Sequence, residues 1–243
     1  MKLLGKLTAL SVLLAAMSCA LYAKDDDKAS DELKRIDSAA TVLEEIMGAP
    51  DKGIPKDVME SAKCVAVVPS MIKGGFIIGA RYGKGVATCR TSNGWSAPAP
   101  ITIAGGSWGL QFGGEAVDLV MLVMNDRGME HLLSSKFKLG AEGSVAAGPV
   151  GRQAEATTDW KMKSEVLSYS RSRGIFAGLE LNGAVVKQDD DATRVLYGKE
   201  VPFKAILTGQ VPPPEGSQHF LATVRKYSAE ARQERGAVEP PKN

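Results

Sequence analysis

The chain has 243 residues, of which 44% are hydrophobic and 24% charged. That is enough apolar side chain for a real core, and too ordinary a composition for wholesale disorder. A formal net charge of +2 excludes the strongly basic footprint of a nucleic-acid binder, and a mean hydropathy of −0.08 excludes a protein built of membrane-spanning helices.

Lys2 and Lys6 precede an uncharged apolar run from Leu7 to Met17, and small residues follow at Ser18, Ala20 and Ala23. This order predicts a secretory signal peptide over residues 1–23, because the run is too short to span a bilayer as a helix. Ala16-Met17-Ser18-Cys19 gives a second reading, a lipoprotein leader ending at residue 18 with Cys19 lipidated. Either way the chain is expected to be exported, to the periplasm or an envelope membrane surface. Loss of Lys2 and Lys6 leaves basic and acidic residues in balance, so any anion-binding surface must be a local patch. Cys64 and Cys89 can then form a disulfide in an oxidising compartment or stay as buried thiols; their spacing does not decide.

Residues 24–29 read as a polar linker. Ser30 can cap a helix whose apolar positions Leu33, Ile36, Ala40, Leu43 and Met47 share one face. That stripe suits packing on a core or lying on a membrane; the acidic polar face (Asp31, Glu32, Asp37, Glu44 and Glu45) disfavours anionic lipid. Pro55 suits the first turn of a short helix through Ala62. Strands follow at Cys64 to Val68, ended by Pro69, then at Gly75 to Tyr82 and Val86 to Thr91, joined by a hairpin at Gly83-Lys84-Gly85. Asn93-Gly94 marks a tight turn. Ile101 to Ala104, Ser107 to Phe112 and Ala116 to Met124 continue the series, the last apolar enough to be central in a sheet.

Asp126 is expected to cap a helix to about Lys136. Val166 to Arg171, Ile175 to Leu181 and Ala184 to Gln188 read as strands, with Asn182-Gly183 as a hairpin between the last two. Asp189 to Asp191 opens a helix to Tyr197, and Val201 to Leu207 is another. Gln218 to Arg232 forms an amphipathic helix, and residues 233–243 a disordered tail. Without βαβ alternation, the order predicts one α+β domain over residues 30–232. Its core is a twisted, glycine-rich antiparallel β-sheet, barrel-like in one form, flanked by N- and C-terminal helices.

No residue pattern spells catalysis. The only histidines are His131 and His219, so no zinc constellation is expected. No G-x-S-x-G elbow occurs, and Gly83-Lys84-Gly85 lacks P-loop spacing. No cofactor or metal is expected, and no nucleic acid. Cations remain as candidates. Lys73, Arg81, Lys84 and Arg90 lie on or beside the first hairpin, Arg152 follows Gly148-Pro-Val-Gly151, and Arg171 and Arg173 flank Ser172. Arginine presents a planar fork of donors that matches phosphate, and glycine-rich chain exposes N–H groups beside it. Trp108, among glycines, is expected in the core; Trp95 suits a core or an interfacial position.

From Ile54 to about Leu221 five segments occur in an order that resembles the SYLF-domain family. They are IPKDVMESAKCVAVVPSMIKGGFIIGARYGKGVATCR, GWSAPAPITIAGGSWGLQFGGEAVDLVMLVMN, LGAEGSVAAGPVGRQAE, VLSYSRSRGIFAGLELNGAVV and LYGKEV. The resemblance implies a non-enzymatic domain that binds phosphoinositide or another anionic phospholipid, and in eukaryotic members contacts actin. Actin is not expected as a partner here, because the leader would export the chain. On the residues alone, an envelope scaffold or protein-interaction module is the alternative, and a hydrolase with an unrecognised site a weaker one.

Overall fold

The computed structural model describes residues 27–49, 53–75, 78–108, 113–149, 164–172, 175–178 and 181–238. The leader, Cys19, Arg152, Arg173 and the last five residues lie outside them. Helix α1 covers residues 27–47, so it begins inside the expected linker. It is followed by α2 (Lys56–Ser61), β1 (Cys64–Gly75), β2 (Ile78–Thr91), β3 (Gly94–Trp95), β4 (Ala99–Trp108) and β5 (Gly113–Val123). Then come α3 (Asp126–Leu133), β6 (Lys136–Lys138), β7 (Val145–Ala147), β8 (Val166–Ser172), β9 (Ile175–Gly178) and β10 (Val185–Gln188). The chain ends with α4 (Asp190–Tyr197), α5 (Phe203–Leu207) and α6 (Gln218–Val238). The last of these carries helix into the tail expected from residue 233.

Eight strands form one path, β6-β10-β4-β2-β1-β5-β8-β7, with β3 paired to β2 and β9 to β8 off it. Among the described strands, all pairings are antiparallel except β7 with β8. The sheet curls as a half barrel, and the fold is a single α+β domain. Alternation along the strands sends residues to opposite faces. Ala66, Val68, Ala87, Ile101, Ile103 and Leu119 point into the concave core, which α5 closes with Phe203, Ile206 and Leu207. Val65, Val67, Val86, Val120 and Leu122 point to the convex side, where Ile36, Leu43 and Ile46 of α1 and Phe220 and Val224 of α6 cover them. The α1 stripe is therefore core packing.

Pro69 does not end β1. The strand continues through a bulge: the β1–β5 register slips by one residue between Val68 and Met71, and the β1–β2 register slips between Val67 and Ile72. Ser70, inside it, has a φ of 49°, a left-handed conformation that costs a non-glycine residue energy. Its N–H donates to Asp118 Oδ1 at 2.9 Å.

The bulge also explains Gly83 and Gly85. No hairpin forms there; β2 runs straight through, opposite the bulge. A Cβ on Gly83 would lie 2.5 Å from Val68 Cγ1, and one on Gly85 2.8 Å from Val68 Cα. Glycine is needed for close approach of two backbones at Gly85 and for room beside the Val68 and Met71 side chains at Gly83, not for a turn. The Asn182-Gly183 turn does form, with Gly183 at φ 80° and Ala184 N–H donating to Leu181 O at 3.0 Å. It joins no hairpin, because β9 pairs with β8 while β10 pairs with β4 and β6.

Cys64 and Cys89 are direct partners across β1 and β2, and their sulfurs are bonded. Replacing Gly85 with Ala is expected to cost about 1–3 kcal/mol, the usual range for forcing atoms into a filled site. A lowered denaturant midpoint at unchanged m-value checks this.

Candidate functional site

Of the described candidate cations, Lys73 and Arg81 pair across β1 and β2, whereas Arg90, Arg171 and Lys84 each have partners elsewhere. Arg90 acts on the fold: its Nε donates to Ala62 O and its Nη2 to Glu60 O, both at 2.8 Å. It thereby satisfies carbonyls at the C-terminus of α2, where cations are favoured. Its guanidinium also lies 4.6 Å from the Trp95 ring centroid. Trp95 is buried and donates through Nε1 to Ser228 Oγ at 3.2 Å, so it is a core residue tying β3 to α6. The side chain of Trp108 lies outside the described set.

Arg171 is similarly committed. Its Nη2 and Nε donate to Asp118 Oδ2 at 2.7 and 3.2 Å, and Nη2 also meets Glu45 of α1. Burial pulls the guanidinium pKa down, but the two carboxylates outweigh it and hold the pKa above its ordinary value. Asp118 is the acceptor that satisfies the bulged Ser70 N–H. One chain of contacts, Ser70–Asp118–Arg171–Glu45, thus joins β1, β5, β8 and α1.

Lys84 pairs with Asp189, the N-cap of α4, at 2.6 Å. Burial lowers its ammonium pKa, and the Asp189 hydrogen bond and charge more than restore it. It lines a cleft of about 810 Å³ between α1 and α4, together with Lys28, Arg35, Asp31, Asp191 and Arg194. Opposite charges alternate around this cleft. Arg35 pairs with Glu32, and Arg194 with Asp191 and Glu200, so it offers no concentrated positive field for a phosphate.

Lys73 and Arg81 are direct partners across β1 and β2, and Lys73 also faces Glu115 on β5. The bulge decides their side. Before it, even-numbered β1 residues face the concave core; after it, odd-numbered ones do, as Met71 shows. Lys73 and Arg81 therefore lie on the concave face, and Arg81 is only 9% exposed. On the opposite, convex face sit their neighbours Ile72 and Tyr82, again direct partners, 62% and 50% exposed. These are the exposed large hydrophobic residues among those described. Sequence reasoning passed over both, since the sign of the face depends on the bulge.

The histidines face carboxylates. His131 Nε2 lies 3.5 Å from Glu165 Oε2. His219 of α6 meets two acids of α1, Asp37 through Nδ1 at 2.6 Å and Glu44 through Nε2 at 3.2 Å; Thr223 also donates to Glu44. The Asp37 hydrogen bond, partly opposed by burial and reinforced by Glu44, raises the His219 pKa. Among the described residues no group of three or more His, Cys, Asp or Glu could hold a metal ion.

Arg90→Ala and Arg171→Ala should each lower stability by about 1–3 kcal/mol, because acceptors in a partly buried setting lose their donor. A shift in denaturant midpoint without lipid present checks this; a pure lipid ligand would leave it unchanged. The His219 contact should stabilise fully below pH ~6.5, the unfolded value, and fade as pH rises through the raised folded value. The melting-temperature gap between wild type and His219→Ala should therefore be larger at acid pH than at alkaline pH.

Comparison with known proteins fits this architecture. The family model described as "Ysc84: Las17-binding protein actin regulator" matches residues 104–227. SH3 domain-containing YSC84-like protein 1 of Rattus norvegicus is 36% identical over 225 residues, covering 84% of this chain and 66% of the relative. The Homo sapiens protein of that name is 34% identical over 197 residues, covering 78% and 57%. LAS seventeen-binding protein 3 of Saccharomyces cerevisiae is 36% identical over 174 residues, covering 70% and 38%. The chain thus spans less than two thirds of the length of these curated relatives. With the matched segment running from β4 into α6, the chain belongs to the Ysc84, or SYLF-domain, family.

Proposed function

We propose that this chain binds anionic phospholipid at a membrane surface, without catalysing a reaction. Its expected setting is the cell envelope, and its ligand a phosphate-bearing head group of the phosphoinositide kind. The observation that carries the reading is the exposed pair Ile72 and Tyr82. An aliphatic side chain and a tyrosine, side by side on a rigid sheet, suit the boundary between hydrocarbon and head group. The family description, which names binding and regulation, and the yeast relative, named for binding, support the non-enzymatic part.

A second reading has its own support. The yeast relative is named for binding a protein, LAS seventeen. On that reading the same exposed surface would take a protein partner.

Co-sedimentation with neutral and anionic vesicles at low and high salt separates the two. Binding that needs anionic lipid and weakens with salt is the expected result. Failure to sediment with either vesicle, together with a stoichiometric protein partner in pull-downs, would favour the second reading.

A further inference from the structure

Pairing register continues the Ile72–Tyr82 contact across the sheet. Tyr82 is opposite Ala104 on β4, Ala104 opposite Val185 on β10, and Val185 opposite Lys138 on β6. On the other side Ile72 is opposite Ala116 on β5. Directly paired residues share a face, so these six side chains form one convex row over six strands. At about 4.8 Å between strands the row spans roughly 24 Å. Ile72, Tyr82, Ala116 and Lys138 are exposed, and Ala104 and Val185 partly so.

The next row on the same face, two residues along each strand, reads Lys84, Thr102, Lys187 and Lys136. Neither row contains an acidic residue. Lys136, Lys138 and Lys187 are exposed, and among the described residues none has an ion-pair partner. Two acids beside these rows are engaged: Asp189 with Lys84, and Glu142, whose carboxylate accepts from Lys138 N–H at 2.7 Å.

Lysines on an edge strand also discourage strand-to-strand aggregation, and β6 is an edge. That role does not require Lys187. It sits on the interior strand β10, directly opposite Lys136, where like charges destabilise the pair. A cost retained in the folded sheet is repaid when an anionic surface approaches.

We infer that the uncovered convex face of β6, β10, β4, β2 and β1 docks on an anionic lipid bilayer, with Ile72 and Tyr82 entering the head-group boundary and Lys136, Lys138 and Lys187 pairing with lipid phosphates. This rests on the anionic-lipid reading above and gives it a surface. Among the described residues, Lys84 is the one sequence-predicted cation in these two rows, and its charge is already paired.

The test uses the full chain and phosphatidylcholine vesicles with and without phosphatidylglycerol. The triple variant Lys136→Gln, Lys138→Gln, Lys187→Gln should lose about a hundredfold in affinity for the anionic vesicles, at about fivefold for each lysine near an anionic surface. It should also lose most of the salt dependence. Ile72→Ser with Tyr82→Ser should weaken binding at both salt levels. A charge-matched control, Lys63→Gln, Lys204→Gln, Lys226→Gln, should bind like wild type. All substitutions are at surface positions, and an unchanged melting temperature confirms folding. Wild-type affinity in the Lys136, Lys138 and Lys187 triple variant, or an equal loss in the control, would overturn the docking face while leaving the lipid reading intact. A wild-type chain that ignores phosphatidylglycerol vesicles would overturn both.

Discussion

The one-residue bulge in β1 governs which side of the sheet does what. Without it, Ile72 would continue the Cys64, Ala66 and Val68 series into the concave core, and Lys73 would face out. With it, Met71 fills the core, Ile72 emerges on the convex face, and Lys73 turns inward beside Arg81. A bulge leaves a backbone group without a ladder partner, and such a group must be satisfied when removed from water. Asp118 does so at Ser70, and Arg171 with Glu45 holds Asp118 in place. Gly83 and Gly85 supply the clearance that the displaced strand needs. Core packing and surface character thus depend on a single irregularity and the five residues that support it.

Those supports explain why Arg90 and Arg171 are committed to the fold. Arg90 and Arg171 have their donors spent on helix carbonyls and carboxylates. The acidic face of α1 has a matching explanation. Asp37 and Glu44 meet His219, Glu45 meets Arg171, and Glu32 meets Arg35. Asp37, Glu44 and Glu45 thus add polar ties from α1 to α6 and the sheet beside its packed apolar stripe.

Strands, helices and the α+β class were legible in the sequence because apolar periodicity reports burial directly, as in the run Val117 to Val123. Glycine was less informative. Gly83-Lys84-Gly85 and Asn182-Gly183 carry the same local signal, yet one is a close strand crossing and the other a turn whose flanking strands choose different partners. Local chemistry sets a turn; the rest of the sheet sets pairing. Lys136 was read as the end of a helix, although Lys136-Phe137-Lys138 and Val185 to Gln188 alternate as half-buried strands do. Their shared face appears only once β10 is placed between β6 and β4. Sequence chemistry nominated cations by type, whereas register decides which of them face solvent together.

Magnitudes also bear on how such a fold could meet a membrane. α1 carries an apolar stripe, and releasing it onto a bilayer would first uncover Ile36, Leu43 and Ile46, each at most 1% exposed. At about 1.5–3 kcal/mol per side chain, that costs roughly 5–9 kcal/mol, a large share of the ~5–15 kcal/mol that holds a domain together. The Arg171–Glu45 and His219 contacts would be lost as well. The uncovered sheet face needs no such release. Ile72 and Tyr82 already stand in water, so burying them is favourable from the outset, and the lysines beside them are already aligned. A rigid sheet surface is therefore the cheaper route to a membrane than a detached helix.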